Sequence, residues 1–136
     1  MIRPIVRDQL FLALKSAPAA AADLPIAADL LDTLRANLDR CVGLAANMIG
    51  ERKRIIAFCS GPAQIVMLNP AITARSGEYE AEEGCLSLDG VRRARRFRKI
   101  TVTYTDQALR TRTADFTGFT AQIIQHEIDH CDGVLI

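Results

Sequence analysis

The chain holds two histidines, His126 and His130, four residues apart with Glu127 between them, in the run Gln125-His126-Glu127-Ile128-Asp129-His130. On an α-helix, residues i and i+4 project from one face, so both imidazoles can reach a single metal ion while the carboxylate reaches a water held there. A divalent ion lowers the pKa of such a water from about 15.7 to near 7 in favourable sites, and a carboxylate can take its proton and pass it to a leaving amine. That is the equipment of amide hydrolysis. Asp129 reads either as a residue that orients part of the site or as a solvated helix carboxylate.

A hydrolytic metal needs a third protein ligand and an open position. Four cysteines compete for the place. Cys131 falls about 140° round the helix from His126 and points away from the same ion. Cys41 and Cys59, at an element boundary and in an expected strand, suit the role of small buried hydrophobes. Cys85, in Glu83-Gly84-Cys85-Leu86-Ser87, has a glycine neighbour that lets backbone approach a ligand closely; spacing alone makes it a mild favourite.

These residues need elements to position them. Ile123, Ile124 and Ile128 share helical spacing across Thr120 to Cys131, and Gly133 stands where that helix stops. Ile26, Leu30, Leu31, Leu34 and Leu38 predict an amphipathic helix from Pro25 to Asp39. Between them, Arg54 to Cys59, Gln64 to Thr73, Ile100 to Asp106 and Leu109 to Phe116 read as strands, several rich in β-branched residues and divided by Gly-Pro and Asn-Pro turn signals. Helix, strands, then a late helix is the order of an α+β fold.

With 136 residues, 49% hydrophobic and 24% charged, the chain has the composition of one soluble domain. A net charge of +1 gives no overall pull toward nucleic acid or anionic lipid. No apolar run approaches the roughly 18 residues of a membrane span, and no signal-peptide pattern opens the chain, so the expectation is a cytoplasmic protein with no membrane partner. The cysteines lack CxxC spacing, which speaks against a disulfide framework or a zinc cluster.

Three segments in order resemble the signatures of the peptide deformylase family. Cys41-Val42-Gly43-Leu44-Ala45-Ala46-Asn47-Met48 is similar to its GxGxAAxQ, Glu83 to Ser87 matches EGCLS, and Gln125 to His130 matches QHExDH. The likeness also takes in Ile5-Val6, Pro18-Ala19 and Asp132-Gly133-Val134-Leu135. It implies strands around a central C-terminal helix, and a metal held by Cys85, His126 and His130, with ferrous iron the usual ion and zinc or nickel able to replace it. It implies removal of the formyl group from N-formylmethionyl peptides, with Glu127 handling the proton and the Leu86 N–H holding the oxyanion. Gly43 would let substrate pair as an added strand, with Glu83, Gly84 and Arg92 beside it. Val42 and Ile123 would line the methionine pocket or, equally, pack in the core.

Two departures bear on the chemistry. Met48 stands where the family has a glutamine that assists at the oxyanion, and Cys41 replaces its first glycine. Losing one oxyanion donor typically costs about 10²–10³ in turnover, unless Asn47 or another group donates. Asp89 occupies a position where the family often has proline. The run Arg92-Arg93-Ala94-Arg95-Arg96-Phe97-Arg98-Lys99 reads as a solvated strand edge, the alternative being a transient ribosome contact; no specific nucleic acid is expected. The competing functions are an HExxH endopeptidase, and a weak relative that binds formylated peptides or acts on another N-acyl amide.

Overall fold

In the computed structural model, which describes residues 1–136, the chain folds as α1 (Gln9–Leu12), α2 (Leu24–Ala36), five strands and α3 (Gly118–Cys131), an α+β arrangement. Helix α2 buries Ala27, Leu30, Thr33 and Leu34. It ends at Ala36, short of the Asp39 end that the apolar spacing predicts. Asn37 turns back on the helix, its Nδ2 donating to the Thr33 carbonyl at 2.7 Å and its N–H to the Leu34 carbonyl at 3.0 Å. Leu38 is thereby carried out of the core.

Strands β1 (Gly43–Ala45), β2 (Ile55–Ser60), β3 (Ala63–Cys85), β4 (Leu88–Thr105) and β5 (Thr111–Thr117) form one antiparallel sheet in sequence order. Strand β3 runs well past the Thr73 end expected of it. The Asn-Pro pair makes a bulge instead of a stop: the register jumps between Leu68 and Ala71, where a missing N–H is tolerated. Asn69 takes φ +52°, and its side chain accepts from Ala19 N–H at 2.8 Å and donates to the Ala19 carbonyl at 2.9 Å.

The far half of β3 carries acids and the near half of β4 carries the arginines. Glu80 lies opposite Arg95 and Glu82 opposite Arg93, with Arg95 2.7 Å from Glu78 and Arg93 3.7 Å from Glu80. Arg98 stacks on the Tyr79 ring at 4.8 Å. Most of the basic run is therefore balanced by its own neighbours, and it is not a free cationic patch. It lies on the part of β4 that β5 leaves uncovered, since β5 pairs only from Lys99 onward.

Helix α3 packs on β1, β2, β4 and β5 and is buried on most of its circumference, from Ala121 through Cys131. Gln125 fixes it to β4, accepting from Phe97 N–H at 2.8 Å and donating to the Phe97 carbonyl at 2.9 Å. The helix stops where the sequence places Gly133, whose φ is +76° and where a Cβ would lie 2.4 Å from the Ala13 carbonyl oxygen. A cluster of 24 buried apolar residues joins α2, the sheet and α3. No helix is long and apolar enough to cross a membrane.

Candidate metal centre

Cys85 closes β3 at a register shift, and α3 brings His126 and His130 beside it. The two Nε2 atoms are 3.1 Å apart, and Cys85 Sγ is 3.4 Å from His130 Nε2. All three donor atoms lie within 4.8 Å of one another. Lone pairs of three donors aimed at one point, two of them on buried histidines and one on the half-buried Cys85, repel unless a proton or a cation lies among them. One thiol and two imidazoles are the donor set of a transition-metal or zinc site, and the residues fit one divalent ion.

The surroundings prepare the ligands for it. Glu83 Oε1 is 2.8 Å from His126 Nδ1. Burial alone would push the Glu83 carboxyl up, but hydrogen bonds from His126 and Arg96 prevail and hold it at about 2. Glu83 is therefore an ionised acceptor and His126 Nδ1 carries a proton. Burial would push this imidazole down, but hydrogen bonds with Cys85 and Glu83 prevail and raise it to about 10, so a metal bound at Nε2 would take the place of a proton there. Burial, with the neighbouring His126 and Arg96 charges, pushes His130 down, keeping it neutral. Arg96, only 4% exposed, grips both Glu83 oxygens at 2.9 and 2.7 Å and Asp129 at 2.7 Å. Asp129 is thus tied into the site's support.

Glu127 differs from Glu83. Burial dominates its environment and raises its carboxyl to about 7, and Oε1 has no protein partner. A carboxyl that titrates near neutrality with unspent hydrogen-bonding capacity suits proton transfer in both directions. It adjoins a cavity of about 660 Å³ lined by Val42, Gly43, Glu83, Gly84, Leu86 and Ile123, onto which Cys85, His126 and Glu127 also open. Gly43 has room for no side chain: a Cβ there would come 2.7 Å from Ile123 and 2.8 Å from Glu127.

Two residues singled out from the sequence lie elsewhere. Met48 is buried outside the cavity, its Sδ accepting from Ala45 N–H at 3.4 Å. Arg92 does not line the cavity; its Nη1 donates to the Asp89 carbonyl at 3.1 Å. Asn47 offers no substitute donor, because its Nδ2 is bound to the His130 carbonyl at 2.8 Å.

Sequence reasoning passed over Arg96, Gln125 and Gln122 as individuals. Gln122 lines the cavity, donating to Glu83 at 3.0 Å and accepting from the Tyr79 hydroxyl at 3.2 Å. Along β4, Arg96 and Ala94 share the inward parity of Val102 and Ile100 and are buried with them, but Arg98 at the same parity is exposed, so the signal is interrupted as well as masked by the surrounding arginines. Cys41 also lines the cavity; burial raises its thiol to about 11. Cys131 belongs to the core, and all four cysteines are free thiols.

Known proteins share this architecture. A peptide deformylase of Clostridium beijerinckii is 53% identical over 136 residues, covering 100% of both chains. The crystal structure of peptide deformylase from Thermus thermophilus superposes with a TM-score of 0.86 at 34% identity, covering 99% of this chain and 83% of that one. A Met-Ala-Ser-bound class I type b peptide deformylase from Acinetobacter baumannii gives 0.88 at 30% identity, covering 99% and 97%. With the family model for polypeptide deformylase matching residues 6–136, the chain belongs to the polypeptide deformylase family.

Proposed function

We propose that this chain hydrolyses the N-formyl amide of N-terminal formylmethionine on new peptides in the cytoplasm, releasing formate and a free amine. The observation that carries the reading is the convergence of Cys85, His126 and His130 beside a buried, partly unpartnered Glu127, in a chain 53% identical to a peptide deformylase. Cys85, His126 and His130 hold the metal, for which we favour ferrous iron, with zinc and nickel as alternatives. When bound, the ion supplies a Lewis acid that polarises the formyl oxygen and acidifies water.

The chain's own residues do the rest. Glu127 takes a proton from the attacking water and delivers it to the amide nitrogen as the C–N bond breaks. The Leu86 N–H receives charge on the formyl oxygen. Val42 C=O accepts from Cys59 N–H, so Gly43, the next residue, turns its own N–H and C=O to the free edge of β1, where an extended peptide can add as a strand. Gly84 offers backbone on the opposite wall, and Val42 and Ile123 give apolar surface for the methionine side chain. Glu83 acts on substrate from the cavity wall and through His126, and Arg92 through the Asp89 segment. The balanced basic run gives little support to a ribosome contact through that surface.

Formate release from formyl-Met-Ala by protein loaded anaerobically with ferrous iron tests the reading; the precaution protects Cys85 and the iron from oxidation. Turnover is expected, and Glu127→Ala is expected to lower it by about 10²–10⁴ with metal content unchanged. Saturable peptide binding with one metal per chain and no formate would instead identify a binding relative, or one acting on another acyl amide.

A further inference from the structure

The segment that precedes α1 reaches the metal centre at one point. Arg7 Nη1 donates to the Leu86 carbonyl at 3.1 Å, and Nη2 donates to Asp89 Oδ1 at 2.6 Å. The Leu86–Ser87 peptide group that receives the first bond sends its own N–H, that of Ser87, to Cys85 Sγ at 3.4 Å. A planar peptide unit therefore links guanidinium to sulfur. A cation on its carbonyl end polarises it and strengthens the donor at the other end. The base of the clamp is fixed as well, because Val6 N–H donates to the Met48 carbonyl at 2.8 Å. Arg7 and Asp89 both line the cavity.

We propose that Arg7 is a positioning residue for the Cys85–Ser87 turn: with Asp89 as its second anchor, it holds the Leu86–Ser87 peptide so that the Ser87 N–H stays on Cys85 Sγ. This rests on the reading of Cys85 as a metal ligand. The clamp does not act through overall stability, since the Arg7 and Asp89 side chains are 54% and 96% exposed and exposed ion pairs add little to folding. What it fixes is an angle. Leu86 carries the N–H assigned to the oxyanion, so one guanidinium steadies both a ligand and a donor. Asp89, where the family often has proline, supplies an anchor that a proline side chain cannot.

Arg7→Met keeps the aliphatic stem and removes both donors. In cobalt-substituted protein it is expected to shift or weaken the thiolate-to-cobalt absorption band and to release cobalt to a chelator about tenfold faster, the lower end of the effect of outer-shell partners. Turnover of formyl-Met-Ala should fall through kcat more than through KM, with the thermal midpoint unchanged. Asp89→Asn, which loses the charged anchor alone, should move the band and the release rate the same way by less. A wild-type band and release rate in Arg7→Met would overturn the proposal, as would losses that appear only in step with a lowered thermal midpoint in both variants. If the wild type shows the thiolate band but no formate release, and Arg7→Met still alters the band, the deformylase reading falls and the clamp stands. A wild-type cobalt protein without a thiolate band overturns both.

Discussion

The two halves of the metal centre are held in place by different means. The α3 half lies among buried charges and amides: Glu83 on His126, Arg96 on Glu83 and Asp129, Gln125 on the β4 backbone, Asn47 on the His130 carbonyl. The turn half, from Cys85 to Asp89, buries Ser87 and Leu88 but leaves Cys85 and Leu86 half-buried and Asp89 exposed, and one exposed guanidinium braces it from outside. Buried polar networks in low dielectric are costly to break and fix geometry strongly. Exposed ones tolerate motion. On the proposed function, a centre built this way would keep His126, His130 and Glu127 rigid while the Cys85 side adjusts.

The sharpest way to break this comparison is to remove the cation from the rigid half. Arg96→Met leaves Glu83 buried without its guanidinium partner, and losing one member of a buried pair typically costs about 3–5 kcal/mol. Urea unfolding should show a loss of that size, with weaker metal retention because His126 loses its fixed acceptor. Arg7→Met should leave the same unfolding curve in place. If the two variants unfold alike, the division between halves is wrong.

Acid sharpens the comparison further. The Glu83 carboxyl is held at about 2 against an ordinary 4.5, because hydrogen bonds from His126 and Arg96 outweigh burial. A group whose folded pKa lies below its unfolded value stabilises the fold above the unfolded value, and that stabilisation is lost as pH falls through the folded one. Metal-free protein should therefore lose stability progressively from about pH 4.5 toward pH 2. Glu83→Gln should start lower near neutrality and lack that component; a parallel fall in both proteins would assign the acid sensitivity elsewhere.

How much of this was legible in the sequence follows the same division. The α3 half is local: an i, i+4 pair, a carboxylate between, isoleucines at helical spacing and a glycine stop all lie within residues 120–133. The support behind it is not local. Arg96 meets Glu83 and Asp129 only once β3 and β4 pair and α3 packs on them, and no spacing in one dimension encodes that meeting. The acid half of β3 escaped because glutamates facing arginines replace the apolar alternation by which strands are recognised. Helix α2 was overrun at its end because Leu38 keeps the apolar period after Asn37 has already turned the chain.

Met48 gives the smallest expected effect on chemistry and separates sequence position from structural position. Aligned by motif, it stands where a glutamine assists the family's reaction, and restoring such a donor would raise turnover by about 10²–10³ if the side chain reached the formyl oxygen. In this fold it does not reach. Met48 is 1% exposed, turned onto Ala45 N–H and absent from the cavity wall, so Met48→Gln changes the end of a side chain packed behind the site. The variant is expected to leave kcat of the iron-loaded protein within about tenfold of wild type, below the range that a new oxyanion donor commands. It should also lose about 1–3 kcal/mol of stability if the buried amide finds no partner. A rise of two orders of magnitude would mean that the short turn Ala46–Ile49 can present its third residue to substrate. The rigid half of the centre would then be more adaptable than its hydrogen bonds imply.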